Sequence, residues 1–130
     1  MVPQDCRYTR EHEWIRRDGD DVVIGITEYA QSALGDIVFI DLPKPGTALR
    51  QMQAFGSVEA VKAVSDLFSP VSGQVVAVND AVATDPSVVN RDPHGEGWLL
   101  RARGASASEF DTLLSPADYE KLVAELEAEH

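Results

Sequence analysis

Short runs of β-branched and apolar residues recur along the chain between clusters of Gly, Pro, Asp and Asn. Val22-Val23-Ile24-Gly25-Ile26 follows the turn-like Asp18-Gly19-Asp20-Asp21, and Asp36-Ile37-Val38-Phe39-Ile40-Asp41-Leu42 stops at Pro43-Lys44-Pro45-Gly46. Gln74-Val75-Val76-Ala77-Val78-Asn79 and Trp98-Leu99-Leu100-Arg101-Ala102-Arg103 have the same character. Strands this short and this regularly punctuated predict an all-β sandwich or barrel.

Three helical pieces interrupt the pattern. Thr27 is placed to cap a helix from Glu28 to Leu34, with Gly35 ending it. Thr84-Asp85-Pro86 can start a single turn through Val89. The clearest helix is the last: Ser115 caps it, Pro116 takes the first helical position, and Tyr119, Leu122, Val123 and Leu126 fall on one face. That face is suited to packing across an open end of the β core.

Two features stand apart from this scaffold. Gly35-Asp36-Ile37-Val38-Phe39-Ile40-Asp41 lines up with Gly73-Gln74-Val75-Val76-Ala77-Val78-Asn79, a weak internal repeat that puts Lys62 on the connection between two halves. Lys62 is the only lysine between Lys44 and Lys121, and it sits among small and apolar neighbours. Its local conformation has two readings. Val58, Val61, Val64 and Leu67 recur every third residue, which fits a short amphipathic helix with Lys62 on its solvated face. The other reading is a hairpin, with Ser57 to Ala60 going out, a tight turn at Val61-Lys62, and Ala63 to Phe68 returning. No Asn-Gly or Asp-Gly marks the tip, so pattern alone leaves both open.

Composition then narrows the chemistry. A chain of 130 residues with 44% hydrophobic and 25% charged residues is sized for one ordinary globular domain. A net charge of -11 opposes binding to a phosphate backbone and favours docking to basic protein surfaces. Cys6 is the only cysteine, so no internal disulfide forms. His12, His94 and His130 are too few and too scattered for a metal site or a nucleophile-base-orienter set, which argues against an enzyme. No apolar run reaches membrane-spanning length, and Met1 to Arg10 lacks the character of a secretory or transit segment; a cytoplasmic chain is expected.

Glu59-Ala60-Val61-Lys62-Ala63-Val64-Ser65-Asp66-Leu67-Phe68-Ser69-Pro70-Val71-Ser72-Gly73 resembles the lipoylation segment of the glycine cleavage system H proteins, relatives of lipoyl and biotinyl carrier domains. Four further strings resemble the same family: His12-Glu13-Trp14-Ile15; Gly25-Ile26-Thr27-Glu28-Tyr29-Ala30-Gln31; Leu34-Gly35-Asp36-Ile37-Val38-Phe39-Ile40-Asp41-Leu42-Pro43; and Val89-Asn90-Arg91-Asp92-Pro93-His94-Gly95-Glu96-Gly97-Trp98-Leu99. In order and without large insertions, they cover nearly the whole chain.

The resemblance implies a mainly β barrel-sandwich hybrid of two quasi-symmetric halves, with short helices and a C-terminal helix, as one domain over 1–130. Its core would span about 7–104 and its helical extension about 106–129. It overrules the helical reading and places Lys62 at a hairpin tip. Lys62 matches the lysine that takes lipoate as an amide, and Glu59 an acidic position expected to be read by the lipoate ligase or lipoyl transferase, or else a solvated strand carboxylate. An exposed lysine amine is protonated near neutral pH, so the lipoyl group must arrive as an activated ester.

The resemblance further implies a non-catalytic carrier. It would receive an aminomethyl group from glycine decarboxylase (P protein), pass it to the aminomethyltransferase (T protein), and be reoxidised by dihydrolipoyl dehydrogenase (L protein). A monomer without nucleic-acid or membrane partners is expected. Glu13, Asp66 and the Gly95-Glu96-Gly97-Trp98 turn are candidates for a groove that shelters the arm, although each also has a structural reading. Two positions depart from the family pattern: Ala60, where serine is common, and His94, where tyrosine is more usual and a surface turn is expected. Beside an unmodified β-domain used only for protein contact, for which the Lys62 frame would be coincidence, two alternatives remain. One is an H-like relay that donates lipoyl groups to other enzymes. The other is a 2-oxoacid dehydrogenase-type lipoyl or biotinyl domain, although Val61 and Ala63 fit neither the Asp-Lys pair nor the methionine-flanked lysine of those domains.

Overall fold

Continuous burial along residues 22–26 shows how the two sheets and the C-terminal helix close around the chain. Val22 and Ile24 point into one apolar cluster with Ile15, Val75, Leu100 and Ala102, while Val23 points the other way into a cluster with Trp14, Tyr8 and Tyr119. A strand covered on both faces reads as an unbroken apolar run. The computed structural model describes residues 2–129; Met1 and His130, the ends of the expected 1–130 domain, lie outside the described residues.

The elements are β1 (Cys6–Tyr8), β2 (Glu13–Asp18), β3 (Asp21–Ile26), α1 (Glu28–Leu34), β4 (Ile37–Asp41), β5 (Ala48–Leu49), β6 (Ala54–Ala60) and β7 (Val64–Phe68). They continue with β8 (Gly73–Val78), α2 (Asp80–Thr84), α3 (Ser87–Arg91), β9 (Leu100–Arg103), α4 (Ala107–Asp111) and α5 (Pro116–Ala128). A six-stranded sheet runs in the order β1-β2-β3-β9-β8-β5, and a three-stranded sheet in the order β4-β6-β7. All pairings are antiparallel. The result is a mainly β, lipoyl-domain-like barrel-sandwich, as the sequence led one to expect.

The internal repeat has a structural counterpart. The β4–β6 pairing slips between Ile37 and Phe39, and the β8–β9 pairing slips between Val75 and Ala77. Aligning Gly35 with Gly73 superimposes these two slips on the same repeat position. Each bends its strand at the point where a sheet must curl around the core.

Helix α1 has its Thr27 cap, with Oγ1 accepting from Ala30 N, and ends at Gly35. The turn expected from Thr84 through Val89 is α3, which begins at Ser87 after Pro86, and a second helix, α2, precedes it. Asn79, read as the end of a strand, accepts from Ala81 N and starts α2; Asp85 ends it; α3 follows from Ser87. Asn favours a cap over a strand interior because its side-chain oxygen satisfies a free helix N–H.

Helix α5 lays Tyr119 flat on Tyr8, with ring centroids 4.4 Å apart. Leu122 and Val123 pack into the same cluster. The Tyr119 hydroxyl sits between His12 Nδ1, at 2.9 Å, and Thr27 Oγ1, at 2.7 Å. The last helix is therefore tied to the cap of α1, whose far end leads to Gly35.

Candidate functional site

Lys62 lies at the tip of the β6–β7 hairpin. Glu59 stands opposite Val64, and Ala60 N donates to Ala63 O at 2.7 Å, which leaves Val61 and Lys62 to turn the chain. The hairpin expected here is the conformation found, and the helical alternative is not. Val58 and Leu67 are buried, but Val61 and Val64 are 76% and 70% exposed, so their third-residue spacing spans a turn and not a helix face. Among the described residues only His12 and Met52 have positive φ outside glycine, so the tip needs no left-handed residue. This explains the missing Asn-Gly signal.

The hairpin is fixed at both ends. At the tip, Val61 N donates to Asp36 O at 3.0 Å. That carbonyl is positioned by Asn90, whose Oδ1 accepts from Ile37 N at 3.0 Å while its Nδ2 donates to Gly35 O and Gln31 Oε1, both at 2.9 Å. Asn90 thus clamps the chain on either side of Asp36. The string containing Asn90 was noticed in the sequence, but its role was not, because its partners lie more than fifty residues away.

At the foot, Glu13 of β2 reaches across to β7. Its Oε2 accepts from Phe68 N at 3.2 Å and its Oε1 from Thr9 Oγ1 at 2.5 Å. Glu13 is only 1% exposed. Burial pushes its carboxyl up to about 7, although the bonds from Thr9 and Phe68 favour the charged form. One carboxyl group therefore joins the two sheets.

The Lys62 side chain is exposed, and among the described residues no ion pair or hydrogen bond holds its amine. Its stem crosses Gly35, where a Cβ would come within 3.2 Å of Lys62 Cε. Gly35 has φ 80 and ψ -154, a conformation open chiefly to glycine. A long, unpaired amine on a braced tip can take an acyl group and swing it; these residues fit a covalently attached arm. Ala60 serves the site from beneath. It is 8% exposed, so its small side chain helps pack the hairpin and does not open the approach to the amine.

Glu59 is exposed on the outer face of the three-stranded sheet, in a row with Phe39 and Val64. Phe39 is itself 51% exposed. The next row on that face is Asp41, Ser57 and Asp66. The surface beside Lys62 therefore sets Glu59 between apolar Phe39 and Val64, with a more polar row beyond them.

The three proposed groove elements do not converge. Glu13 is buried under Phe68, Asp66 is exposed on β7, and the Gly95–Trp98 turn braces other parts of the fold. In that turn Gly95 packs on Asp92, Gly97 N donates to Asp92 O at 2.8 Å, and the Trp98 carbonyl accepts from Asn79 Nδ2 at 2.7 Å. His94 is half-buried and not a surface residue, stacking on Trp14 and accepting from Glu28 N through Nε2 at 3.2 Å. Burial lowers its pKa.

A two-sheet barrel-sandwich that carries a braced hairpin with an unpaired lysine at its tip is a lipoyl-type carrier domain. Its membership is more specific. The chain belongs to the glycine cleavage H-protein family, whose sequence model matches residues 6–126. It is 57% identical over 128 residues to the glycine cleavage system H protein of Koribacter versatilis, covering 98% of each chain. To that of Carboxydothermus hydrogenoformans it is 54% identical over 125 residues, covering 96% of each. Its fold matches the crystal structure of a glycine cleavage system H protein from Mycobacterium marinum with a TM-score of 0.85. That match has 39% identity and covers 95% of this chain and 99% of the other.

Proposed function

We propose that Lys62 is where lipoate is attached, as an amide of Nζ, and that the modified chain carries the aminomethyl group of glycine from the P protein to the T protein. As an H-family member the chain is the lipoyl-carrying shuttle of a glycine cleavage system and works with its enzymes. The finer reading adds reoxidation by the L protein, a monomeric carrier without a reaction of its own, and the cytoplasm as its compartment. The observation that carries it is the exposed, unpaired amine of Lys62 on a tip held by Asp36.

The chain's residues supply presentation. Gly35 leaves room for the Lys62 stem, Asn90 and Asp36 hold the tip, and Glu13 holds the foot. Bound at Lys62, lipoate supplies a disulfide that can take up and release the group being carried. Tethering keeps that group at high local concentration for each partner. Glu59, open beside the lysine, is placed for reading by the lipoate ligase or lipoyl transferase.

The test uses the unaltered chain and Lys62→Arg, each incubated with lipoate, ATP and a lipoate ligase, then with P protein, glycine and labelled bicarbonate. The unaltered chain should support label exchange into glycine, and Lys62→Arg should fold but support none. Exchange with the arginine variant would show that another residue carries the arm. Lipoylation without exchange would favour the relay reading.

A further inference from the structure

Backbone parity along the Lys62 hairpin leaves one strand edge uncovered. Ala60 N bonds to Ala63 O, so in this antiparallel pair Val58 with Ser65, and Gly56 with Leu67, are the residues that bond across the hairpin. Val64, Asp66 and Phe68 then turn their N–H and C=O groups away from β6. The Phe68 N–H confirms this direction, since it points outward and is taken by Glu13. β7 has no strand on that side; Ser65 Oγ donates to the Asp66 carbonyl at 3.3 Å, and among the described residues no side chain bonds the outward N–H of Val64 or Asp66.

The other edges are closed or very short. Tyr8 of β1 exchanges two backbone bonds with Leu114, at 3.0 and 2.8 Å. β4, the opposite edge of the same sheet, is bonded to Asn90 at Ile37 and has α2 and α3 packed against it, and β5 has two residues. Proteins usually guard an open edge, because it pairs readily with another strand. This one begins two residues beyond Lys62.

We infer that the outward edge of β7 receives an extended strand of the enzyme that acylates Lys62, through backbone bonds at Val64 and Asp66. The inference rests on the reading of Lys62 as the modified lysine. Acylation forms the bond from Nζ to the acyl carbon, breaks that carbon's bond to the leaving oxygen of an activated ester, and releases two protons from the ammonium form. The enzyme's reacting centre must therefore come within bonding distance of Nζ, and its walls must touch the hairpin. Enzymes acting at the far end of a swinging arm need no such contact. Exposed Glu59 favours a basic side chain on the incoming strand, and exposed Val61 and Val64 an apolar pocket beside it; Asp66 contributes its backbone N–H alone.

Asp66→Pro removes an outward N–H without touching the β6 ladder, which an edge strand tolerates. Asp66→Asn keeps that N–H and removes the charge. With a lipoate ligase, lipoate and ATP, kcat/KM for lipoylation should fall about tenfold or more in Asp66→Pro. Asp66→Asn should stay close to the unaltered chain, and acetic anhydride should label Lys62 equally in all three. Equal losses in both variants, or no loss in either, overturn the inference. Should Asp66→Pro melt early, the amide exchange of the unaltered chain decides. Ligase bound to lipoyl-adenylate should slow exchange at Val64 and Asp66, whereas slowing confined to other residues, or slowing by a second copy of the chain alone, overturns it. If the unaltered chain takes no lipoate at Lys62, the underlying reading fails first.

Discussion

Glu13 on β2 accepts a hydrogen bond from the backbone N–H of Phe68 on β7, at 3.2 Å, and so fastens the lysine-bearing hairpin to the larger sheet. Burial shifts the Glu13 carboxyl from 4.5 to about 7. In that window the folded chain holds a proton that the unfolded chain has released. Stability from this group is thus greatest below the unfolded value and declines as pH rises through the folded one. The decline should approach about 3 kcal/mol between pH 5 and 8. Urea melts at the two pH values should show that slope in the unaltered chain and a flatter one in Glu13→Gln. An unchanged slope in the variant would assign it to other groups.

Asn90→Ala removes three hydrogen bonds from the segment that holds the tip. It should cost about 1–3 kcal/mol and speed amide exchange at Val61, whose N–H rests on Asp36 O. Faster exchange at Val61 than in β3 is the specific signature; uniform acceleration would mean only a general loss of stability.

Gly35→Ala imposes a side chain on a backbone at φ 80 and pushes a Cβ to 3.2 Å from Lys62 Cε. The backbone term should lower stability by about 1–3 kcal/mol. Because the lysine stem is flexible, it should move aside and still be lipoylated, more slowly. Thermal melts and timed mass spectra test both parts.

Strands β3, β4, β8 and β9 were legible because β-branched runs and Gly/Pro/Asp punctuation are local signals, and Ser115-Pro116 announced the last helix just as locally; β2, with Glu13, Arg16 and Arg17 among its six residues, was not read as a strand. Lys62 was legible as an unusual lysine, yet periodicity alone would have laid it on a helix, since Val58, Val61, Val64 and Leu67 keep their spacing through the turn. What the sequence hid depends on distant partners. Nothing beside Glu13 announces Phe68, and nothing beside Asn90 announces Gly35 or Ile37. The short β1 and β5 strands and α4 were also missed, being too brief to show a period.

Tyr119→Phe keeps the stack on Tyr8 but removes the hydroxyl that lies between His12 and Thr27. Leaving those two groups without their partner should cost about 1–2 kcal/mol, read as a lower urea midpoint. Lipoylation by a ligase should be unaffected, because the hairpin and its anchors are untouched. Slower lipoylation in a fully folded sample would place α5 in the site itself.

The central claim is that the Lys62 amine is the point of attachment. Intact-mass analysis after production in a lipoate-competent host, followed by peptide mapping, tests it most directly. The account predicts the added mass of one lipoyl group, located on the peptide bearing Lys62 and absent from Lys62→Arg. An unmodified mass with active ligase and lipoate supplied, or a lipoyl group on Lys44 or Lys121, would contradict it.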